Sequence, residues 1–114
     1  MGKERRGFPR IPYAFDGRCR MAGTLLEGWS SVTVVNIGAG GMRVRSADGL
    51  LEPAAVLDFK LPVPGLQDAL IVRGRVAWTA MPAAGVLEAG VEFLDLSLPQ
   101  KAMLDRLVSF MRGG

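Results

Sequence analysis

Six short stretches of this chain alternate apolar and polar residues with a period of two, and turn-forming residues separate them. A period of two puts one row of side chains inside and the next outside, which is the pattern of a half-buried strand. The longest run is Ala69 to Thr79. Leu70, Val72, Gly74, Val76 and Trp78 share one face there, and Arg73 and Arg75 lie on the other. In Val56 to Leu61, Leu57, Phe59 and Leu61 face inward while Asp58 and Lys60 face outward. Ser31 to Ile37 sets Val32 and Val34 against Thr33 and Val35. After Gly38-Ala39-Gly40-Gly41, read as a turn, Met42 and Val44 point one way and Arg43 and Arg45 the other. A first strand is expected over Tyr13 to Leu25, with Tyr13, Phe15 and Cys19 inward. A last strand is expected over Glu88 to Leu94, with Ala89, Val91 and Phe93 together. Six such strands in 114 residues predict an all-β fold, a closed or nearly closed six-stranded antiparallel β-barrel.

The tail changes period. Ser97 suits a helix cap, Gln100 stands three residues later as in a capping box, and Pro99 suits the first turn. Met103, Leu104, Leu107, Val108 and Met111 fall on one helical face. A C-terminal α-helix packed on the barrel is expected, with residues 13–114 forming one domain behind a basic arm at 1–12. That arm is expected to be flexible, with Pro9 and Pro12 denying backbone donors and pushing their neighbours toward extended conformations.

Charge is uneven. The chain has 14 Lys+Arg and 11 Asp+Glu. Four of the basic residues (Lys3, Arg5, Arg6, Arg10) and one acid (Glu4) lie within the first ten positions, so the remaining chain holds ten of each. A neutral body with a cationic arm points to an anionic partner, because guanidinium groups pair with phosphate in a bidentate way and lie flat on aromatic planes. Histidine is absent and Cys19 is the single cysteine. That removes the usual transition-metal ligand sets and any Ser-His or Cys-His nucleophile pair. The acids form no recognisable catalytic motif, and no phosphate-cradling Gly-rich loop ends in Lys-Ser/Thr. Binding is therefore expected rather than catalysis, with no cofactor and no metal. No apolar run spans a membrane, the start does not read as a signal peptide, and Arg6 stands where a myristoylation signal wants Ser or Thr. With one cysteine and no leader, a cytoplasmic location is expected.

The arm and the first tight turn carry a resemblance. Arg6 and Arg10 form R-x-x-x-R, preceded by Arg5. Asn36-Ile37-Gly38-Ala39-Gly40-Gly41 then falls between two strands. Together they resemble the PilZ domain family, whose members carry R-x-x-x-R followed by [D/N]-x-S-x-x-G. Gly90-Val91-Glu92-Phe93-Leu94-Asp95-Leu96-Ser97 is similar to that family's last strand and helix entry. The resemblance implies a six-stranded barrel that binds cyclic di-GMP, a bacterial second messenger, between the arm and the strand turn. It implies ligand-binding roles for Arg5, Arg6, Arg10, Asn36, Gly38 and Gly41. Gly38 stands where the family has serine. One neutral hydrogen bond is worth about 0.5–1.5 kcal/mol net, roughly up to tenfold in affinity. The chemistry fits the ligand: arginine forks onto phosphate and guanine, Asn36 can bond a base edge, and Gly40 and Gly41 admit close backbone approach and positive φ.

Plainer readings stand beside these. A basic terminus is often just solvated, the glycine turn would exist in any hairpin, and Arg43, Arg45, Arg73 and Arg75 read as the wet face of a barrel, extending an anionic site only if they sit beside the arm. Alternation assigns Trp78 to the core; the resemblance adds a lesser reading, an aromatic against the ligand. Functionally, a non-catalytic cyclic di-GMP effector that acts on a protein partner stands first. A related interaction module without nucleotide binding stands second. A single-stranded nucleic-acid binder ranks last, because such proteins line a basic groove with several aromatics. Most of the eight aromatics here take core-like positions.

Overall fold

The computed structural model describes residues 14–23, 28–46 and 51–111. Strands β1 (Phe15–Met21), β2 (Ser30–Ile37), β3 (Gly41–Ser46), β4 (Val56–Leu61), β5 (Leu70–Ala83) and β6 (Val86–Leu94) are followed by helix α1 (Leu98–Met111). The strands close into an antiparallel barrel in the order β1-β2-β3-β6-β5-β4, with β4 paired back to β1. The expected six-stranded barrel with one C-terminal helix is the fold observed. Of the expected first strand, Phe15 to Met21 is confirmed; Tyr13 and the arm, with Arg5, Arg6 and Arg10, lie outside the described residues.

The inward rows follow the alternation closely. Val32, Val34, Val44, Leu57, Phe59, Leu61, Leu70, Val72, Val76 and Ala89 are all buried, and among the described residues no polar or charged residue is buried with them. Complete burial of a side chain such as Phe59 contributes about 1.5–3 kcal/mol. The helix closes the core: Leu104 and Leu107 are buried, and Met103, Val108 and Met111 pack on the same cluster. Its start is the expected capping box. Ser97 N–H donates to Gln100 Oε1 at 2.7 Å, and Gln100 N–H donates to Ser97 Oγ at 3.2 Å. Gln100 also donates through Nε2 to the Ile71 carbonyl at 2.8 Å, which ties the first turn to β5.

The register shifts at three places among the described residues; one, between Ala80 and Ala83, lies near the β5–β6 turn, and the other two are β-bulges that reverse the alternation within the barrel. Across β2 and β3, Val34 pairs with Val44 and Asn36 with Arg43, so Val35 is the extra residue. Across β5 and β6, Val76 pairs with Val91 and Trp78 with Gly90, so Ala77 is the extra residue. One inserted residue reverses which face all later side chains take. The expectation that Trp78 joins the core is overturned for this reason. Val76 is 1% exposed and Trp78 is 44% exposed. The same reversal carries Asn36 outward, although its parity matches buried Val32 and Val34.

Candidate functional site

The two bulges act on one place. Asn36 pairs with Arg43, Arg43 with Gly90, and Gly90 with Trp78, so these four residues form a continuous row across β2, β3, β6 and β5. All four side-chain positions point outward. The row floors an open groove of about 330 Å³, lined also by Gly40, Gly41, Met42, Ala77, Val91 and Glu92. That volume is at the lower end of small-molecule sites.

Glycine shapes this floor by what it omits. A Cβ on Gly90 would overlap the Trp78 indole, so the indole lies across the bare backbone of β6. A Cβ on Gly41 would overlap the Val91 carbonyl oxygen, so the close approach of β3 to β6 requires glycine there. The expected positive φ at Gly40 and Gly41 is not observed; among the described glycines only Gly23, Gly65 and Gly85 adopt it. The turn is held instead by hydrogen bonds. Gly38 N–H donates to the Gly41 carbonyl and Phe93 N–H to the Gly40 carbonyl, both at 2.9 Å. Gly38 sits at the turn with nothing within 4 Å of where a Cβ would stand.

The structure therefore brings together Asn36, Gly41 and Trp78 on one surface and sets Gly38 at its edge. Sequence reasoning read Arg43 as one of four wet-face arginines that extend an anionic site only if they sit beside the arm, and it did not place Arg43 in this row. The available signal was Asn36, a polar side chain at an inward parity, which argues for a register change ahead of it. The arginines around the groove are already answered by acids. Arg43 Nε stands 3.4 Å and Arg45 Nε 3.7 Å from Glu88 Oε2. Arg75 donates to Glu92 Oε1 from Nε at 3.3 Å and from its terminal nitrogen at 3.1 Å. Arg73 Nε lies 3.1 Å from Asp58 Oδ1, away from the groove. Arg75–Glu92 is exposed on both sides, and such a pair is weak, about 0–1 kcal/mol, so a ligand phosphate can displace its acid. The Glu88 and Asp58 side chains are only 13% and 14% exposed, while the arginines they face stay half exposed and open to a phosphate.

What the groove offers is thus a flat indole, an amide, a guanidinium that a phosphate can recruit, and backbone at close range. Indole and guanidinium faces suit purine rings, and the amide suits a base edge or sugar. Among the described residues no cluster of three or more His, Cys, Asp or Glu is arranged to hold a metal ion, and no helix is long and apolar enough to cross a membrane.

Known proteins give the same outline. A sequence profile described as the PilZ domain matches residues 4–110. The crystal structure of the PilZ domain of CeSA from a cellulose-synthesizing bacterium is similar at TM-score 0.64 and 17% identity, covering 89% of this chain and 95% of that one. The Bacillus subtilis inhibitor of motility, MotI/DgrA, is similar at TM-score 0.66 and 20% identity over 97% of this chain. This chain spans only 53% of the MotI/DgrA chain. Identities this low compare folds alone. No curated protein sequence matches the chain.

Proposed function

The chain belongs to the PilZ domain family, and on that premise we propose that it is a cyclic di-GMP-binding effector, cytoplasmic and non-catalytic, that signals through its arginine arm to a protein partner. The observation that carries this reading is the outward row Asn36–Arg43–Gly90–Trp78 beside the turn Gly38–Gly41. Two separate bulges deliver an amide and an indole to the same groove. A bulge leaves a residue unpaired and disturbs the ladder, so two that converge on one surface read as a built site.

The assignment of roles follows the chemistry. Trp78 stacks on a guanine face. Asn36 bonds the base edge or ribose. Arg6 and Arg10 pair with phosphate and with guanine O6 and N7 from the arm side, and Arg5 adds charge. Gly41 keeps the floor low, and Gly38 leaves a gap that serine fills in the family pattern. Calorimetric titration with cyclic di-GMP tests the reading. Saturable binding is expected, weakened strongly by Arg6→Ala or Arg10→Ala; no saturation at high micromolar ligand would sink it.

One observation favours a second reading, an interaction module that no longer binds nucleotide: Gly38 stands in the serine position with open space around it. That reading expects partner binding indifferent to cyclic di-GMP. A partner captured only in the presence of the nucleotide rules it out.

A further inference from the structure

The barrel face opposite the groove carries a second aromatic and basic cluster that nucleotide binding does not use. In the closed strand order, the β1–β4 seam lies across the barrel from the β3–β6 seam. Ser31 pairs with Arg18, Arg18 with Lys60, and Lys60 with Ile71, so one outward row crosses β2, β1, β4 and β5. Trp29 immediately precedes β2, opposite Arg20 by continuation of the Cys19↔Ser30 register. The guanidinium carbon of Arg20 stands 4.2 Å from the centroid of the Trp29 ring, and Lys60 Nζ stands 5.5 Å from it.

The cations here differ from those around the groove. Arg43, Arg45, Arg73 and Arg75 each have a carboxylate. Among the described residues, Arg18, Arg20 and Lys60 form no salt bridge. Arg20 is oriented by the indole instead, and its Nε is buried without a hydrogen-bond partner. Ile71, 46% exposed, extends the same row with apolar surface. A groove of about 430 Å³ passes Arg18 and Lys60, with Asp16, Ser31 and Pro62 along it.

We propose that Trp29, Arg20, Arg18, Lys60 and Ile71 form a docking surface for an acidic segment of a protein partner. Its carboxylates would meet the unanswered cations and one apolar side chain would cover Ile71. The argument is charge complementarity joined to composition, since tryptophan and arginine over a desolvated centre are the usual anchors of protein interfaces. A nucleic-acid strand fits less well. Cations already occupy the Trp29 ring, where bases would stack. Asp16 within the groove, and Asp58 one row away, oppose an evenly charged polyanion or an anionic membrane. Discrete carboxylates can be spaced around them.

The test is an NMR amide titration of the whole 114-residue protein. The probe is a short synthetic peptide alternating glutamate and leucine. Its glutamine counterpart, a single-stranded oligothymidine and phosphatidylserine vesicles serve as the other arms. The glutamate peptide is expected to saturate shifts at Arg18, Arg20, Lys60 and the Trp29 indole. Arg18→Glu with Lys60→Glu should weaken it roughly tenfold, while Lys60→Arg retains it. Arg18→Ala with Lys60→Ala serves if the charge reversal disturbs folding. Cyclic di-GMP affinity should be unchanged in these variants, so this surface and the nucleotide groove stand or fall separately. Absence of saturation, equal binding of the glutamine peptide, or tighter binding of the oligonucleotide or vesicles at this face overturns the proposal.

Discussion

Trp78 borders the β3–β6 side of the barrel and Trp29 the β1–β4 side, and basic residues stand beside both. At Trp78 the neighbouring Arg43 is held by Glu88, and the indole lies over the bare backbone of Gly90. At Trp29 the relation is inverted: Arg20 and Lys60 lie on the ring itself. The same two residue types therefore give different surfaces. A ring that bears no cation among the described residues, next to a tethered guanidinium, would suit the flat, phosphate-carrying ligand proposed above. A ring already bearing cations presents positive charge and would suit the carboxylates proposed for it. What decides between them is where the acids fall on neighbouring strands.

The comparison can be broken most severely at Gly41. Gly41→Val places side-chain atoms in the Val91 carbonyl and forces β3 from β6; an expected cost of about 3 kcal/mol should lower Tm by roughly 10 °C in thermal denaturation. The Trp29 face should keep its NMR shifts in the fraction that remains folded. Next in size is the exchange of the two rings. Trp78→Ala should weaken cyclic di-GMP roughly tenfold or more, the usual value of one stacked base, whereas Trp29→Ala should leave that affinity unchanged in the same calorimeter. Equal losses from both would end the distinction between the faces.

Smaller effects sharpen it. Glu88→Gln releases Arg43 and Arg45 from their shared acid, so cyclic di-GMP affinity is expected to rise about threefold, with a steeper dependence on salt. Smallest is Gly38→Ser. The site has room for the side chain and no positive φ to strain it, so stability should be unchanged and affinity should improve by at most about tenfold. An unchanged affinity would show that the turn does not face the ligand, and a fall would show that Gly38 leaves no gap there.

Much of this was legible in the residues. Leu57, Phe59 and Leu61 announced their buried face because β4 pairs without interruption and period two survives intact. The capping box at Ser97 and Gln100 was legible because all its atoms lie within four residues. Trp78 was misplaced for the opposite reason. Nothing between Val76 and Trp78 says that Ala77 will find no partner on β6; that depends on where Val91 and Gly90 stand. Arg43 joined the site only when Asn36 and Gly90 were set on either side of it.

The local pattern thus determined the barrel, its inner faces, the helix and the glycine turn, because alternation and capping are interactions among near neighbours in the chain. The tertiary structure alone decided which way Asn36 and Trp78 face and which arginines are answered by acids. Those outcomes depend on registers between strands distant in sequence, and a bulge of one residue is enough to turn a side chain from core to surface.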